Sequence, residues 1–287
     1  MEMTGASFAF SLCADDYAIS PGVSRGIVEA LEARRLSATS VMTTRPFWSA
    51  AAKELHPFRD LAEIGLHLNL TLGRPLGGMA KFAKSGQLPN IRSVVAAAQK
   101  RELPEAEIRD EIARQLDAFT EAFGEEPDFV DGHQHVQVLP GIRLWLFQTL
   151  EKRGLNGKIW LRDSADYLPR IFLRAIELKK ALGIAWLARG FAREAVEHGF
   201  ATNEGFAGFS AFDPKSDFGS DFEHYLLAPG RRHLVMCHPG HCDAELARVD
   251  PVTGTRETEL EFLLSEKFTT MLKRRGVRLA RLKDMAK

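Results

Sequence analysis

The feature that most constrains this chain is a repeated unit in which a short apolar run stops abruptly at a polar residue and is followed by a helical periodicity. Residues 8–13, FAFSLC, run into Ala14, Asp15 and Asp16; Ser20-Pro21 then opens a helix whose Val23, Ile27, Ala30 and Leu31 recur at helical spacing. The cycle returns as a strand over 38–43 with a helix over 47–55, and as a strand over 62–68 that carries His67. A helix over 104–123, striped by Ile108, Ile112, Leu116 and Phe119 and closed by Gly124, precedes a strand opening at Phe129 and a helix over 141–153. Strands over 158–163 and 232–237, a helix over 257–275 and a small strand over 277–280 complete the series. Three stretches depart from it. Residues 71–92, glycine-rich with Pro75 and Pro89, read as a long functional loop or lid; 167–200 as amphipathic helix in two pieces with breaks at Gly183 and Gly190; 201–212 as a short strand plus a loop on the substrate side.

Strands alternating with helices of this length predict an α/β fold with a mostly parallel sheet and helices packed outside it. Seven or eight units favour a barrel over an open doubly wound sheet, here as a single domain over 1–287. In both architectures ligands bind at the C-terminal ends of the strands. The unusual polar residues fall there: Asp15 and Asp16, His67, His133, Arg162 and His238. In the stretch 129–137, FVDGHQHVQ, an extended chain would point Asp131, His133 and His135 to one side, where they would converge.

Charge narrows the partners. With 38 basic and 38 acidic residues the chain has no bulk electrostatic reason to bind nucleic acid or an anionic membrane, which leaves a small molecule or glycan. No apolar stretch is long enough to span a bilayer, and residues 1–10 lack the basic start and apolar run of a signal peptide. Cys13, Cys237 and Cys242 are too few, and odd in number, for a disulfide framework, so a cytoplasmic setting is expected. Exposed apolar positions within 168–200 offer a face for a homo-oligomer.

Asp16, His67 and His133 supply one carboxylate and two imidazoles from three strand ends, a set that suits a divalent ion with coordination positions left open, and open positions mean catalysis. Of the adjacent Asp15 and Asp16, one would bind the ion and the other would sit beside the bound water as a base. The segment 237–242, CHPGHC, places two cysteines and two histidines together, but Cys237 belongs to the apolar strand, and structural zinc ligands come as separated pairs. His238, held by a Pro-Gly turn at a strand end, is better placed as a general acid. Arg162 would face the cleft as the partner of an acidic residue.

Four motifs, in order, carry a resemblance: Ala14-Asp15-Asp16-Tyr17 followed by Ser20-Pro21-Gly22, Gly65-Leu66-His67-Leu68, Asp131-Gly132-His133-Gln134-His135, and His238-Pro239-Gly240. Together they resemble the YdjC-like family of carbohydrate deacetylases, which includes chitooligosaccharide deacetylase and the hopanoid-biosynthesis deacetylase. The resemblance runs nearly the whole chain. It implies a distorted (β/α) barrel related to polysaccharide deacetylases, with Asp16, His67 and His133 as ligands of one magnesium or zinc ion, Asp15 as base and His238 as acid. His135 and Asp131 would stand against the substrate or behind the ligands. The expected reaction is deacetylation of an N-acetylated amino sugar, free or conjugated to a lipid. Another metal-dependent hydrolase such as a phosphoesterase, or a sugar or metal binder without catalysis, are the competing expectations. Tyr17, Gln134 and Gln137 stand where the family commonly has phenylalanine, histidine and histidine.

Overall fold

In a computed structural model, residues 8–285 are described; the reading of the chain start over 1–7 lies outside them. Among the described residues, nine parallel strands carry the fold: β1 (Phe8–Tyr17), β2 (Ala38–Val41), β3 (Glu63–Leu68), β4 (Phe129–Gly132), β5 (Trp160–Leu161), β6 (Ala201–Thr202), β7 (Phe206–Ala207), β8 (His233–Cys237) and β9 (Val277–Leu279). Their spatial order is β6-β5-β4-β3-β2-β1-β8-β7, with β9 on the first residues of β1. Consecutive strands are neighbours through most of that order, as a barrel requires, and the sheet curls into one that is not fully closed, because β6 and β7 pair only on their outer sides. Asn203, between them, ties the gap: its Oδ1 accepts from the Asp163 N–H at 2.8 Å and its Nδ2 donates to the Asp163 and Gly205 carbonyls.

Strand parity sorts the side chains. Leu12 and Ala14, Ile64 and Leu66, Val130, Leu161 and Val235 face outward and pack under the helices, whose apolar stripes cover them. Cys13, Ala38, Phe129, Trp160, Leu234 and Met236 face inward, where Phe129 and Trp160 stack with centroids 4.2 Å apart. The C-terminal turn at Leu282–Asp284 plugs the lower end: the Leu282 N–H donates to Glu63 at 2.5 Å, and Glu63 also receives the indole N–H of Trp160 at 2.8 Å.

The outer helices are α1 (Pro21–Glu32), α2 (Trp48–Leu55), α3 (Ile91–Lys100), α4 (Glu105–Phe123), α5 (Ile142–Lys152), α6 (Leu168–Arg174), α7 (Leu178–Leu187), α8 (Phe191–Glu197), α9 (Phe218–Tyr225), α10 (Ala244–Val249), α11 (Gly254–Leu264) and α12 (Glu266–Arg275). Three expectations are corrected here and one is made more definite. Residues 167–200 form three helices, and Gly183 lies inside α7 rather than at a break. The terminal helix is two, divided at Ser265, whose hydroxyl caps α12 by accepting from the Phe268 N–H. The span 71–92 is a loop as far as Asn90, and a packed one. Met79, Ala83 and Leu88 are buried, Glu111 of α4 accepts from the Leu76 and Gly77 N–H groups, and the span ends in α3. Lastly, 129–137 is a strand only to Gly132, after which the chain enters a 3-10 turn over His133–Val138.

Candidate active site

The inward-facing parity of each strand continues to its C-terminal end, and there it delivers polar groups instead of apolar ones. Asp15, two residues after Cys13 on β1, faces the interior, as do His67 at the end of β3, Asp131 on β4, Arg162 just past β5 and His238 just past β8. Asp16 is out of phase with that alternation. A bulge breaks the β1–β2 register between Ala14 and Tyr17, and Asp16 and Ala18 take φ of 70° and 69°, which turns the Asp16 carboxylate to the same side as that of Asp15. Aspartate tolerates this left-handed conformation better than most residues.

Gly132 and Gln137 shape the next element. A Cβ on Gly132 would stand 2.7 Å from Gln137 Oε1, so glycine lets the fully buried Gln137 fold back beneath the turn. Gln137 Nε2 then donates to the Arg162 carbonyl at 3.2 Å and to Ser164 Oγ at 3.0 Å. Gln134 and His135 sit at φ of 55° and 61°, a strained pair that this network holds in place. Asp131, His133 and His135 therefore do not converge as alternate residues of a strand. His133 turns toward Asp16, while His135 points away, with Nδ1 3.0 Å from Ser164 Oγ and its ring edge-on to Phe206 and Phe209.

Two linked clusters result. In the first, His133 Nδ1 lies 3.0 Å and His67 Nε2 3.3 Å from Asp16 Oδ1, and one ligand atom from each of the three residues falls within a 4.8 Å group. A carboxylate oxygen and two imidazole nitrogens at this spacing fit a divalent ion. His67 Nδ1 is held by Asp131 Oδ1 at 2.7 Å and Ser40 Oγ at 3.0 Å, which orients the ring and leaves Nε2 for the cluster. In the second cluster Arg162, fully buried, grips both oxygens of Asp15 at 2.6 Å and pairs with Asp131 Oδ2 at 2.6 Å. Cys13, Asp15 and Asp131 also group closely enough to suggest a metal, but the cation among them is the guanidinium of Arg162.

Burial opposes ionisation of Asp15, yet Arg162, by charge and hydrogen bond, holds its carboxyl down at about 2. Burial likewise opposes ionisation of Asp16, and the charge of Arg256 overcomes it. His67 is pulled the other way. Burial favours its neutral form, but Asp131 raises it to about 10. His135 is pushed to about 3 by burial and by Arg162, so its imidazole is neutral.

Arg256, which sequence reasoning missed, sits in the first turn of α11, binds Asp16 Oδ2 and Asp250 Oδ2 at 2.7 Å each, and is buried. A cation at a helix N-terminus opposes the helix dipole, and that mismatch was the one signal in the sequence. Glu259, three residues after Arg256 in the same helix, was missed too; it accepts the His238 N–H at 2.6 Å and burial raises its carboxyl to about 7. The His238 ring packs edge-on against Phe212, and its Nδ1 has no hydrogen-bond partner among the described residues. Among the other sequence candidates, His241 pairs with Glu29 and Cys237 lies in the core, so the 237–242 segment does not form a zinc site. Tyr17 points outward, its hydroxyl donating to the Ala51 carbonyl at 2.9 Å. Asp15, Asp16, His67, His133, His135 and His238 all line one cavity of about 640 Å³; Arg162 and Asp131 stand behind its wall.

A family described as YdjC-like protein matches residues 10–274. The chain is 29% identical over 274 residues to a chitooligosaccharide deacetylase of Citrobacter koseri, covering 95% of this chain and 97% of that one. It is 28% identical over 310 residues to a human carbohydrate deacetylase, covering 95% and 89%. The fold is similar to the crystal structure of a protein from Enterococcus faecalis V583, with a TM-score of 0.73 at 20% identity over 98% of this chain and all of that one. With four motifs in order, their residues gathered at one end of the barrel and a family match over nearly its whole length, the chain belongs to the YdjC-like family.

Proposed function

We propose that the chain is a metal-dependent hydrolase that removes the acetyl group from an N-acetylated amino sugar. The observation that carries this reading is the grouping of Asp16, His67 and His133 within 4.8 Å in a cavity that also holds Asp15 and His238. The names of the relatives support the substrate class. When bound there, a zinc or magnesium ion supplies Lewis acidity, which acidifies water and polarises an acyl oxygen.

The chain's own groups do the rest. Asp15, ionised through the physiological range and fixed by the two contacts from Arg162, takes the proton from the attacking water. Because Arg162 shares its charge between Asp15 and Asp131, the base is oriented without being buried as an unpaired charge. His238, anchored through its main-chain N–H by Glu259 and through its ring by Phe212, gives a proton to the departing amine. His67 and His133 are held as ligands, the first by Asp131 and the second by the turn that Gln137 braces.

A phosphoesterase would want basic groups free to meet the phosphate. Arg256 adds a second guanidinium to Arg162, but each is bound to two carboxylates, so acyl chemistry is favoured. The test is acetate release from chitooligosaccharides and N-acetylglucosaminyl conjugates, with chelator and after return of a divalent ion. Release lost with chelator and restored by the ion is expected; chelator-insensitive release contradicts the reading.

A further inference from the structure

His135 ends a chain of hydrogen bonds in which each proton can be placed from its neighbour. The Arg162 carbonyl only accepts, so the Gln137 group 3.2 Å from it is the amide nitrogen. The same Nε2 reaches Ser164 Oγ at 3.0 Å, and Gln137 Oε1 has no partner among the described residues. Ser164 is buried, and among those residues its hydroxyl bonds only to Gln137 Nε2 and to His135 Nδ1, the latter at 3.0 Å. An amide nitrogen cannot accept. The hydroxyl proton therefore goes to His135 Nδ1, which must be bare, and an imidazole with a bare Nδ1 carries its proton on Nε2.

We infer that Gln137 and Ser164 are positioning residues that lock His135 as a hydrogen-bond donor, its Nε2–H offered to a hydroxyl oxygen of the sugar. The tautomer stands on the hydrogen bonds alone; its use on a substrate rests on the deacetylase reading above, in which the acyl oxygen belongs to the metal ion. His135 lines the cavity, its ring is set edge-on to Phe206 and Phe209, and its Nε2 has no partner among the described residues. Beyond Asp15, His238 and the three proposed ligands, the other polar groups lining the cavity are spent or loose. Arg256 and Asp250 bind each other at 2.7 Å, Lys180 donates to the Ser210 carbonyl at 2.6 Å, and Ser210 Oγ accepts from the Phe212 N–H at 3.0 Å. Gln134, Gln99 and Lys179 are exposed. A donor fixed before binding gives up no rotamer freedom when the substrate arrives. It also has a sense: the oxygen it meets must accept there, and a group that can only donate, such as an ammonium, finds no partner at Nε2.

The first test is spectroscopic and needs no substrate: long-range 1H–15N correlation of the imidazoles in the zinc-loaded protein near neutral pH, with His135 assigned by its loss in His135→Phe. Wild type is expected to show the neutral Nε2–H form. Gln137→Glu, which keeps the shape but takes the Ser164 proton, should turn the hydroxyl round and move the His135 proton to Nδ1; Ser164→Asp, which accepts from Nδ1–H directly, should do the same if Gln137→Glu does not fold. An Nδ1–H or imidazolium signal in wild type, or an Nε2–H signal that survives both substitutions, overturns the inference. The second test measures acetate release from methyl N-acetylglucosaminide and from analogues in which one hydroxyl at a time is replaced by hydrogen. At one position the wild type should lose about threefold to tenfold in kcat/KM, the worth of one hydrogen bond, mostly through KM, and His135→Phe should lose nothing further there. Acetate release with no position coupled to His135 overturns the substrate role and leaves the deacetylase reading intact. No acetate release from any of these sugars overturns the deacetylase reading, and the substrate role with it, while the tautomer is still decided by the spectra.

Discussion

Arg162 and Asp15 are joined by two contacts of 2.6 Å across 147 residues of chain, and the same guanidinium reaches Asp131, which in turn orients His67. One buried cation thus fixes both the proposed base and the support of a proposed metal ligand.

Removing that cation without replacing its charge leaves the buried Asp15 carboxylate without its partner and Asp131 with His67 alone. Arg162→Met is expected to lose about 3–5 kcal/mol of stability, read by denaturant unfolding. Arg162→Lys keeps the charge but not the planar fork, so it should fold, with turnover reduced by roughly one to two orders of magnitude because Asp15 is no longer held in one orientation. Full activity in Arg162→Lys would show that the orientation of Asp15 does not matter.

At the other end of the barrel, burial raises Glu63 from 4.5 to about 7, although the Trp160 and Leu282 N–H groups oppose the shift. The folded state therefore holds a proton that the unfolded state releases, and this contribution is present below about pH 4.5 and lost as pH rises through 7. Unfolding free energy of the wild type, measured against Glu63→Gln, should fall by on the order of 3 kcal/mol between pH 4.5 and 8. A difference that is flat over this range would mean that Glu63 is ionised in the fold.

Gly65 lies under the ring of Phe129, and a Cβ there would stand 2.5 Å from three of its ring carbons. Since Phe129 is itself stacked on Trp160, it has no room to yield. Gly65→Ala is expected to cost about 1–3 kcal/mol, with partial recovery in Gly65→Ala/Phe129→Leu, both measured by thermal unfolding. Equal stability of Gly65→Ala and wild type would contradict the packing.

The barrel was legible because its strands are buried on both faces and so read as short apolar runs, and because each run ends where function begins. Asp15, His67 and His238 could be placed from the strand ends, whereas Arg162, expected to face the cleft, pairs with acidic residues as expected but stands behind the cavity wall. Asp16 could not, since its position depends on a bulge and a left-handed backbone that leave no periodic mark. The 3-10 turn that separates His133 from His135 was hidden for the same reason: the segment's alternation mimics a strand, and the conformation is set by Gly132 and Gln137 from outside the pattern. Arg256 and Glu259 stand on a helix, where charged residues ordinarily mean solvent, and only the tertiary fold turns them inward. The boundary at Ser265 was lost because two helices in series share one apolar period.

The division of labour between Asp15 and Asp16 is the central claim, and metal content measured beside turnover tests it most directly. Asp16→Asn should bind metal weakly, because a neutral amide is a poorer ligand than a carboxylate, and His67→Ala and His133→Ala should do the same. Asp15→Asn should keep its metal while turnover falls by roughly two to four orders of magnitude. Metal lost from Asp15→Asn and retained by Asp16→Asn would reverse the assignment; metal and full turnover retained in both would place the active site elsewhere.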